Sequence, residues 1–273
     1  MNYKDEAKKA RLKVLSMIYF AQSSHIGSNF SVIDIFTVLF DKFKPTTDHI
    51  ILSAGWKAAS FYYFLAQKGI IPESDLDTYC QEGSKYIGLT EPGIPGVLFA
   101  GGSMQMGLPA AVGFALSKKL KGEEGTVYCV MSDGELAGGM IWEAVQIALH
   151  HEVKLVVLVD SNGFQAMGKT KDILDIYNRF SGGEIDGHDY EQIEKALDPD
   201  RNLINKHPGL RWITCNTIKG KGVSFMEGNN LYHYKNLSDE EYRDARHELL
   251  SPSEVMKEIG EAYKRGALAD NNG

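Results

Sequence analysis

Cysteine, long apolar runs and net positive charge are all scarce in this 273-residue sequence. The three cysteines (Cys80, Cys129 and Cys215) are odd in number and lack metal-type spacing, which argues against a disulfide framework or a zinc site. No run approaches the roughly 18 apolar residues that a membrane span needs, and the N-terminus has no apolar signal core. A formal charge of −7 argues against a nucleic-acid footprint. We therefore expect a cytoplasmic protein with no membrane and no nucleic-acid partner.

What the sequence does contain is an alternation of helix-type and strand-type segments. Apolar runs predict strands, and apolar positions at helical spacing predict the helices between them. These patterns predict one α/β domain over residues 1–273, a mostly parallel sheet flanked by helices on both faces. The predicted strands are 50–52, 126–131, 154–160 and 211–217, the predicted helices are 5–22, 32–43 (with Ser31 as N-cap), 57–68, 103–118, 139–151 and 238–265, and a long Gly- and Pro-rich loop covers 82–102.

The segment 132–168 carries most of the functional signal. Asp133-Gly134 follows one predicted strand, and Asn162-Gly163 follows the next, 29 positions later. That separation fits a strand–helix–strand crossover, which returns the chain to the same edge of a parallel sheet. A carboxylate and an amide oxygen at that edge suit Mg²⁺ holding a diphosphate. Taken singly, Asp133 is also an ordinary turn residue and Asn162 an ordinary Asx-turn.

Further motifs occur in order along the chain. They are His25-Ile26-Gly27-Ser28, the stretch 31–34, Ile51-Leu52-Ser53, Pro95-Gly96-Val97 with Gly102-Ser103, Asp133-Gly134-Glu135-Leu136 with Trp142-Glu143-Ala144, Asn162-Gly163, the stretch KGKGVSFM at 219–226, and His233. With these motifs the chain resembles the diphosphate-binding half of transketolases over nearly its whole length. It resembles more closely the N-terminal subunit of split transketolases, in which two genes encode the two halves.

The resemblance implies thiamine diphosphate with Mg²⁺ (or Ca²⁺) as cofactors. Asp133 would supply a carboxylate oxygen to the metal, Asn162 its side-chain oxygen and Phe164 its backbone carbonyl, while Gly134 would let the backbone approach the phosphate. His25 and His233 match catalytic positions beside the substrate and the thiazolium ring.

Three other positions match the family's cofactor-binding surface. Gly102 and Met104 align with a turn that packs against the aminopyrimidine, although Met104 is equally typical of a core residue. Trp56 stands at a position that contacts the diphosphate. Glu143 resembles a glutamate of the dimer interface.

Several family residues are replaced. Ala54-Gly55-Trp56 replaces the family's Lys-Gly-His, and Gly88-Leu89-Thr90-Glu91 replaces Gly-His-Pro-Glu. Ser132 replaces the first Gly of Gly-Asp-Gly, Gly138 replaces an interface Glu, and Gln105-Met106-Gly107 replaces Gly-Gln-Gly. An indole can donate one hydrogen bond but carries no charge. Loss of the charge-assisted contact at position 56 should weaken cofactor binding by roughly 1.5–3 kcal/mol unless another group substitutes. Leu89 makes the substrate channel less polar and suggests an unusual ketose or 2-oxo acid.

The glutamate that activates the cofactor belongs to the other half of the family's enzymes. The resemblance therefore implies a pyrimidine-binding partner subunit that supplies this Glu, an α2β2 heterotetramer and an isolated chain without activity. Three functions stay open: transfer of a two-carbon ketol unit between sugars, a decarboxylase or lyase acting on an oxidised sugar or 2-oxo acid, and a non-catalytic paralogue.

Overall fold

A five-stranded parallel sheet forms the centre of the protein in the computed structural model, which describes residues 1–170, 177, 181–198 and 209–257. The strands are β1 (His49–Leu52), β2 (Val127–Ser132), β3 (Leu155–Ser161), β6 (Ser181–Asp186) and β7 (Leu210–Asn216), and a small antiparallel hairpin joins β4 (Phe164–Gln165) to β5 (Gly168–Lys169). The strand order in the five-stranded sheet is β1-β2-β3-β7-β6. The predicted mostly parallel α/β sheet is confirmed.

Helices cover both faces of the sheet, as the sequence predicts. They are α1 (Tyr3–Phe20), α2 (Ile26–Lys42), α3 (Ala58–Gln67), α4 (Gly107–Lys121), α5 (Gly139–His150), α6 (Tyr190–Leu197) and α7 (Asp239–Leu249). The continuous helix predicted over 238–265 is wrong, because the backbone is extended at Leu250 before residues 252–257 are again helical. Residues 258–265 lie outside the described part of the chain. No helix in the described part of the chain is long and apolar enough to cross a membrane.

The alternation of side chains along the strands divides the core in two. Cys129 and Met131 of β2 pack on the face covered by α4 and α5, whereas Val130 packs on the face covered by α1, α2 and α3. This period-2 pattern is what a strand between two helical layers requires. Cys129 and Cys215 are fully buried free thiols, and burial raises the pKa of both.

The start of α2 differs from the sequence prediction. The helix begins at Ile26 with His25 as its N-cap residue, so the expected N-cap at Ser31 is wrong. Ser31 is completely buried inside the helix, and its hydroxyl donates to Asp160 Oδ2 at 2.5 Å. A serine hydroxyl inside a helix is tolerated when it finds such a partner, and the sequence does not reveal this distant one.

The carboxyl ends of the strands gather the polar residues. In the register of β2 and β3, Ser132 faces Asp160, so Asp133 and Asn162 leave the sheet side by side. The crossover predicted between them is confirmed, because β2, α5 and β3 follow in order with β2 and β3 parallel. The turn after β7 reaches the same edge, where Thr217 N–H donates to Ser161 O at 2.9 Å.

Candidate cofactor-binding site

Asp133 lies at the centre of the carboxyl edge. It opens a short 3₁₀ turn (Asp133–Ala137) that Ser132 and Glu135 cap reciprocally. The carboxylate is fully buried; Oδ2 accepts hydrogen bonds from Gly163 N at 2.8 Å and from Thr170 Oγ1 at 2.9 Å. The Gly134 N–H donates to Asp133 Oδ1 at 3.0 Å. The bond to Gly163 brings the two halves of the predicted metal site together.

Asn162 has a fixed amide orientation. Its Nδ2 donates to Ser31 Oγ at 3.3 Å, and its Oδ1 accepts the Phe164 N–H at 3.1 Å. Because the Ser31 hydroxyl proton is given to Asp160, Ser31 Oγ can only accept from Asn162. The amide oxygen therefore lies on the side of the turn that carries Phe164.

These oxygens suit a hard divalent cation. Burial, first, and then the charge of Asp160 raise the pKa of Asp133 to about 6. A buried carboxylate whose ionised form is disfavoured gains most from a bound cation. Asp133, the Asn162 amide oxygen and the Phe164 carbonyl supply carboxylate and carbonyl oxygens, the ligands that Mg²⁺ and Ca²⁺ prefer. The residues present thus fit the metal and the diphosphate it would hold.

A buried ion pair lies beside this site. Lys57 Nζ contacts Asp160 Oδ2 at 2.5 Å and Ser28 O at 3.1 Å, and both side chains are fully buried. Thr217 Oγ1 donates to the other Asp160 oxygen. No sequence pattern indicates this pair, because the two residues are 103 positions apart. The contacts of Lys57 connect α2, the start of α3 and β3. Losing either partner of the ion pair would leave a buried charge unpaired.

His25 and His233 lie together, as expected for residues of one site. The backbone N–H of His25 donates to the backbone carbonyl of His233 at 3.0 Å, and the centroids of the two imidazole rings are 5.2 Å apart. Burial is the main cause that lowers the pKa of each imidazole to about 4, and the nearby Lys219 charge adds to it. Both rings are therefore neutral near pH 7 and can donate or accept a hydrogen bond.

Aromatic rings flank the two histidines. The Trp56 ring centroid is 6.5 Å from that of His25, and the exposed Tyr234 ring is 5.4 Å from His25 and 4.5 Å from His233. Trp56 is held through its carbonyl, which accepts from Asn29 Nδ2 at 3.0 Å. The mouth of the site is thus more apolar than histidine at position 56 would make it.

Two close backbone approaches position the loop that carries Gly102 and Met104. A Cβ on Gly101 would collide with the Gly55 backbone, and a Cβ on Gly107 would collide with Ser53. The structure therefore places Gly102 next to the turn of Trp56. Gly102 and Met104 are exposed (Met104 by 45%), so Met104 is not a core residue.

Glu135 is a buried residue of this edge whose role the sequence did not indicate. Its Oε1 accepts from Ser53 Oγ at 2.6 Å and from Gln105 N at 3.2 Å, while its Oε2 accepts from Ser132 N at 2.9 Å. Burial raises its pKa. Glu135 thereby joins β1, the 102–107 turn and the end of β2.

The replacements at positions 105 and 138 are spatially linked. The Gln105 side chain fills the space where a Cβ on Gly138 would lie, and Gln105 has a positive φ of 75°. Glycine is the usual residue at such a φ, and a larger residue at 138 would displace the Gln105 carboxamide. Gln105 and Gly138 therefore fit each other, because the absence of a side chain at 138 leaves the space that the Gln105 carboxamide occupies.

Comparison with known proteins supports the resemblance to transketolases that the sequence motifs indicate. Residues 3–272 match the family described as "Transketolase, thiamine diphosphate binding domain". The chain is 32% identical over 270 residues to an apulose-4-phosphate transketolase subunit of Actinobacillus succinogenes, covering 91% of this chain and 97% of the relative. It is 31% identical over 247 residues to the 6-deoxy-6-sulfo-D-fructose transketolase subunit SqwG of a Clostridium species, covering 82% and 88%.

Solved structures show the same fold. Transketolase from Campylobacter jejuni superposes with a TM-score of 0.81 at 26% identity, covering 91% of this chain and 43% of that protein. The chain thus spans less than half the length of that transketolase, but nearly the whole length of the relatives named as subunits. The chain therefore belongs to the transketolase family, in which it corresponds to the N-terminal, thiamine diphosphate-binding subunit of a two-component enzyme.

Proposed function

We propose that this chain binds the diphosphate of thiamine diphosphate through Mg²⁺ (or Ca²⁺) and acts in a two-component transketolase that transfers a two-carbon ketol unit between sugars. The observation that carries the proposal is the pairing of the buried Asp133 carboxylate with the 162–164 turn at the carboxyl edge of the sheet. Asp133, Asn162 and the Phe164 carbonyl would hold the metal, and Gly134 would let the backbone approach the phosphate.

The bound cofactor supplies a nucleophilic carbon and an electron sink for breaking and forming the bond next to a carbonyl. His25 and His233 are neutral, so each can hydrogen-bond a sugar hydroxyl and accept or return its proton. The Trp56 ring lies beside His25, with ring centroids 6.5 Å apart, and makes the mouth of the site less polar. The exposed residues Gly102 and Met104 would pack against the cofactor's aminopyrimidine.

The site requires a second subunit. The names of the two relatives identify them as subunits, which supports a partner subunit. We infer that this partner binds the pyrimidine and supplies the catalytic Glu. The whole chain, 1–273, acts as one domain of a cytoplasmic α2β2 heterotetramer. On α5, the side chains of Met140, Trp142 and Ile147 are exposed by 36%, 41% and 48%. Met140 and Ile147 lie two turns apart on one side of α5, and this exposed apolar side is the proposed partner surface.

Titration calorimetry with Asp133→Asn tests the metal assignment. The substitution removes a charged oxygen from the site, so affinity for thiamine diphosphate with Mg²⁺ should fall at least about tenfold. Asp244→Asn, a change at an exposed residue of α7, is the matched control and should bind as the wild type does. Unchanged affinity of Asp133→Asn would show that the metal site is misassigned.

Ketol transfer tests the two-component assignment. The isolated chain, saturated with thiamine diphosphate and Mg²⁺, should give no transfer on a panel of ketose donors and aldose acceptors. Addition of the pyrimidine-binding subunit should restore transfer. Activity of the chain by itself would refute the need for a partner.

A further inference from the structure

Asp34 of α2 is a buried carboxylate that accepts four hydrogen bonds. Arg11 donates to its two oxygens at 3.1 and 2.6 Å, Tyr190 Oη donates to Oδ1 at 2.8 Å, and His188 Nδ1 lies 2.7 Å from Oδ2. Burial would raise the pKa of Asp34, but the bonds from His188 and Arg11 lower it to about 2. None of these four residues belongs to the metal site or to the pair of neutral histidines.

Two of these partners also bind the segment 218–221, which follows β7. The Ile218 N–H donates to His188 Nε2 at 2.8 Å, and Arg11 Nε donates to the carbonyl of Lys221 at 2.8 Å. Because Nε2 of His188 accepts, the ring carries its proton on Nδ1 and donates it to Asp34. The Asp34 network, defined as Asp34, Arg11 and His188, therefore holds both ends of the segment.

The middle of the segment contacts the catalytic side of the site. The Gly220 N–H donates to the carbonyl of Gly27 in the first turn of α2 at 2.9 Å, and Lys219 Nζ lies 3.1 Å from His233 Nδ1. Burial first, and then the charge of a neighbouring lysine, lower the pKa of Lys219 to about 8, so it is still mostly an ammonium at pH 7. An ammonium has no lone pair, so Lys219 donates and His233 Nδ1 accepts.

This contact selects one tautomer of His233. Burial is the main cause that lowers the pKa of His233 to about 4, so its ring is neutral at pH 7. With Nδ1 accepting, the single ring proton lies on Nε2. In the described part of the chain, Nε2 makes no hydrogen bond, which leaves it available to a ligand as a donor. The tautomer is fixed only while Lys219 stays beside Nδ1, and its position depends on the segment 218–221.

We propose that the Asp34 network positions His233, because it holds the segment 218–221 so that Lys219 fixes the ring with Nε2–H as a donor to a sugar oxygen. Arg11, Asp34 and His188 are thus positioning residues that act through the segment. A donor fixed in advance stabilises negative charge that develops on a substrate oxygen. The part of the inference that concerns the substrate rests on the proposed function, whereas the tautomer of His233 does not.

The tautomer is measured on the isolated chain without cofactor, by long-range proton–nitrogen correlation spectra of the imidazole rings at pH 7. His233→Asn assigns the His233 signals. The wild type should carry the His233 proton on Nε2. His188→Leu removes both bonds of the His188 ring, so the His233 signals should move toward those of exchanging tautomers, and the pKa of His233 should rise by about 0.5–1. His188→Gln should restore the wild-type signals, because a carboxamide can donate to Asp34 and accept from Ile218.

Tyr190→Phe is the matched control. Tyr190 donates to Asp34 as His188 does, but none of its described hydrogen bonds reaches the segment 218–221. The variant should keep the His233 signals of the wild type, even if its melting temperature falls. If His188→Leu does not fold, Arg11→Lys provides the same test, because lysine keeps a charge beside Asp34 but lacks the planar fork that also reaches Lys221.

Ketol transfer by the reconstituted pair of subunits gives the second readout. His188→Leu should lower kcat about 10–100-fold with little change in KM, since a misplaced group costs mainly the chemical step, and His188→Gln should recover most of it. A wild-type His233 with its proton on Nδ1 would overturn the inference. So would a folded His188→Leu with a lower melting temperature but unchanged His233 signals and kcat, as a purely structural network predicts. The expected spectra from a chain that does not bind thiamine diphosphate would refute the proposed function and support the positioning of His233.

Discussion

Neutral histidines at the mouth of the site make its hydrogen bonding depend on pH. His25 and His233 both have a pKa near 4, mainly because burial disfavours the imidazolium and because Lys219 lies close by. Their value in an unfolded chain is 6.5. The unfolded chain therefore binds more protons between these two values, so folding stability falls as the pH drops from about 6.5 toward 4.

Replacing both histidines by asparagine should flatten this dependence. The full pKa difference corresponds to roughly 2 kcal/mol per histidine at pH 5, and partial exposure reduces it to about 1 kcal/mol. The free energy of unfolding, measured in urea at pH 7 and pH 5, should fall about 2 kcal/mol less for His25→Asn/His233→Asn than for the wild type. Asparagine also tolerates the positive φ of 69° at position 25.

His247→Asn is the control, because His247 is exposed and lies on α7. It should keep the pH dependence of the wild type. Equal slopes for the double variant and the wild type would contradict the claim that the two imidazoles are buried in the neutral form.

At the scale of elements, the site depends on close packing of the 101–107 loop against the residues that follow β1. The backbones of Gly55 and Gly101 approach so closely that neither position has room for a Cβ, and Gly107 meets Ser53 in the same way. In each case the atoms that an added Cβ would meet include backbone atoms, which cannot move aside by a side-chain rotation. The loop that carries Gly102 and Met104 is therefore held at a fixed distance from Trp56.

Gly101→Ala should destabilise the chain by about 2–3 kcal/mol, because overpacking against backbone forces the loop to shift. Gly113→Ala is the matched change. Gly113 is exposed within α4 and a Cβ there meets nothing within 4 Å, so alanine should stabilise the helix by about 0.5–1 kcal/mol. Thermal or urea unfolding of both variants measures the difference; similar stabilities would refute the close approach at Gly101.

Local sequence signals were sufficient for some elements. The crossover β2-α5-β3 was predicted because apolar strand runs and a helical period follow one another within 29 positions, and its end residues Asp133 and Asn162 do meet. β6 and α6 were not predicted, since the strand contains two adjacent glycines and the helix has only eight residues. The start of α2 was placed six residues late, at 32 instead of Ile26.

The charged interior of the site could not be read from the sequence. Lys57, Asp160, Thr217 and Lys219 come together only after the helices and strands have packed, and no fixed spacing marks them. Lys219 lies in the KGKGVSFM stretch, so its motif was visible in the sequence while its burial was not. Sequence motifs therefore predict the oxygen ligands of the site better than its cations.

At the scale of the whole molecule, the two helical layers differ in what they leave uncovered. The layer of α1, α2 and α3 buries a continuous core that includes most of the aromatic residues of α2 and α3. In the layer of α4 and α5, the α5 side chains of Met140, Trp142 and Ile147 stay exposed. Met140 and Ile147 share one side of α5, whereas Trp142 lies on the other side of the helix. The helix begins directly after Gly138, where Gln105 fills the space of a Cβ.

Ile147→Glu should prevent assembly with the pyrimidine-binding subunit and leave the isolated chain folded. Ile147 is 48% exposed, so a charge there costs the monomer little, whereas burial of that charge in an interface without a partner costs several kcal/mol. Met256→Glu, at a residue 68% exposed on another helical stretch, is the control. Size-exclusion chromatography with light scattering of each co-expressed pair should show a complex for the control and separate subunits for Ile147→Glu. A complex of unchanged mass with Ile147→Glu would exclude α5 as the partner surface, and the partner would then contact another face of the chain.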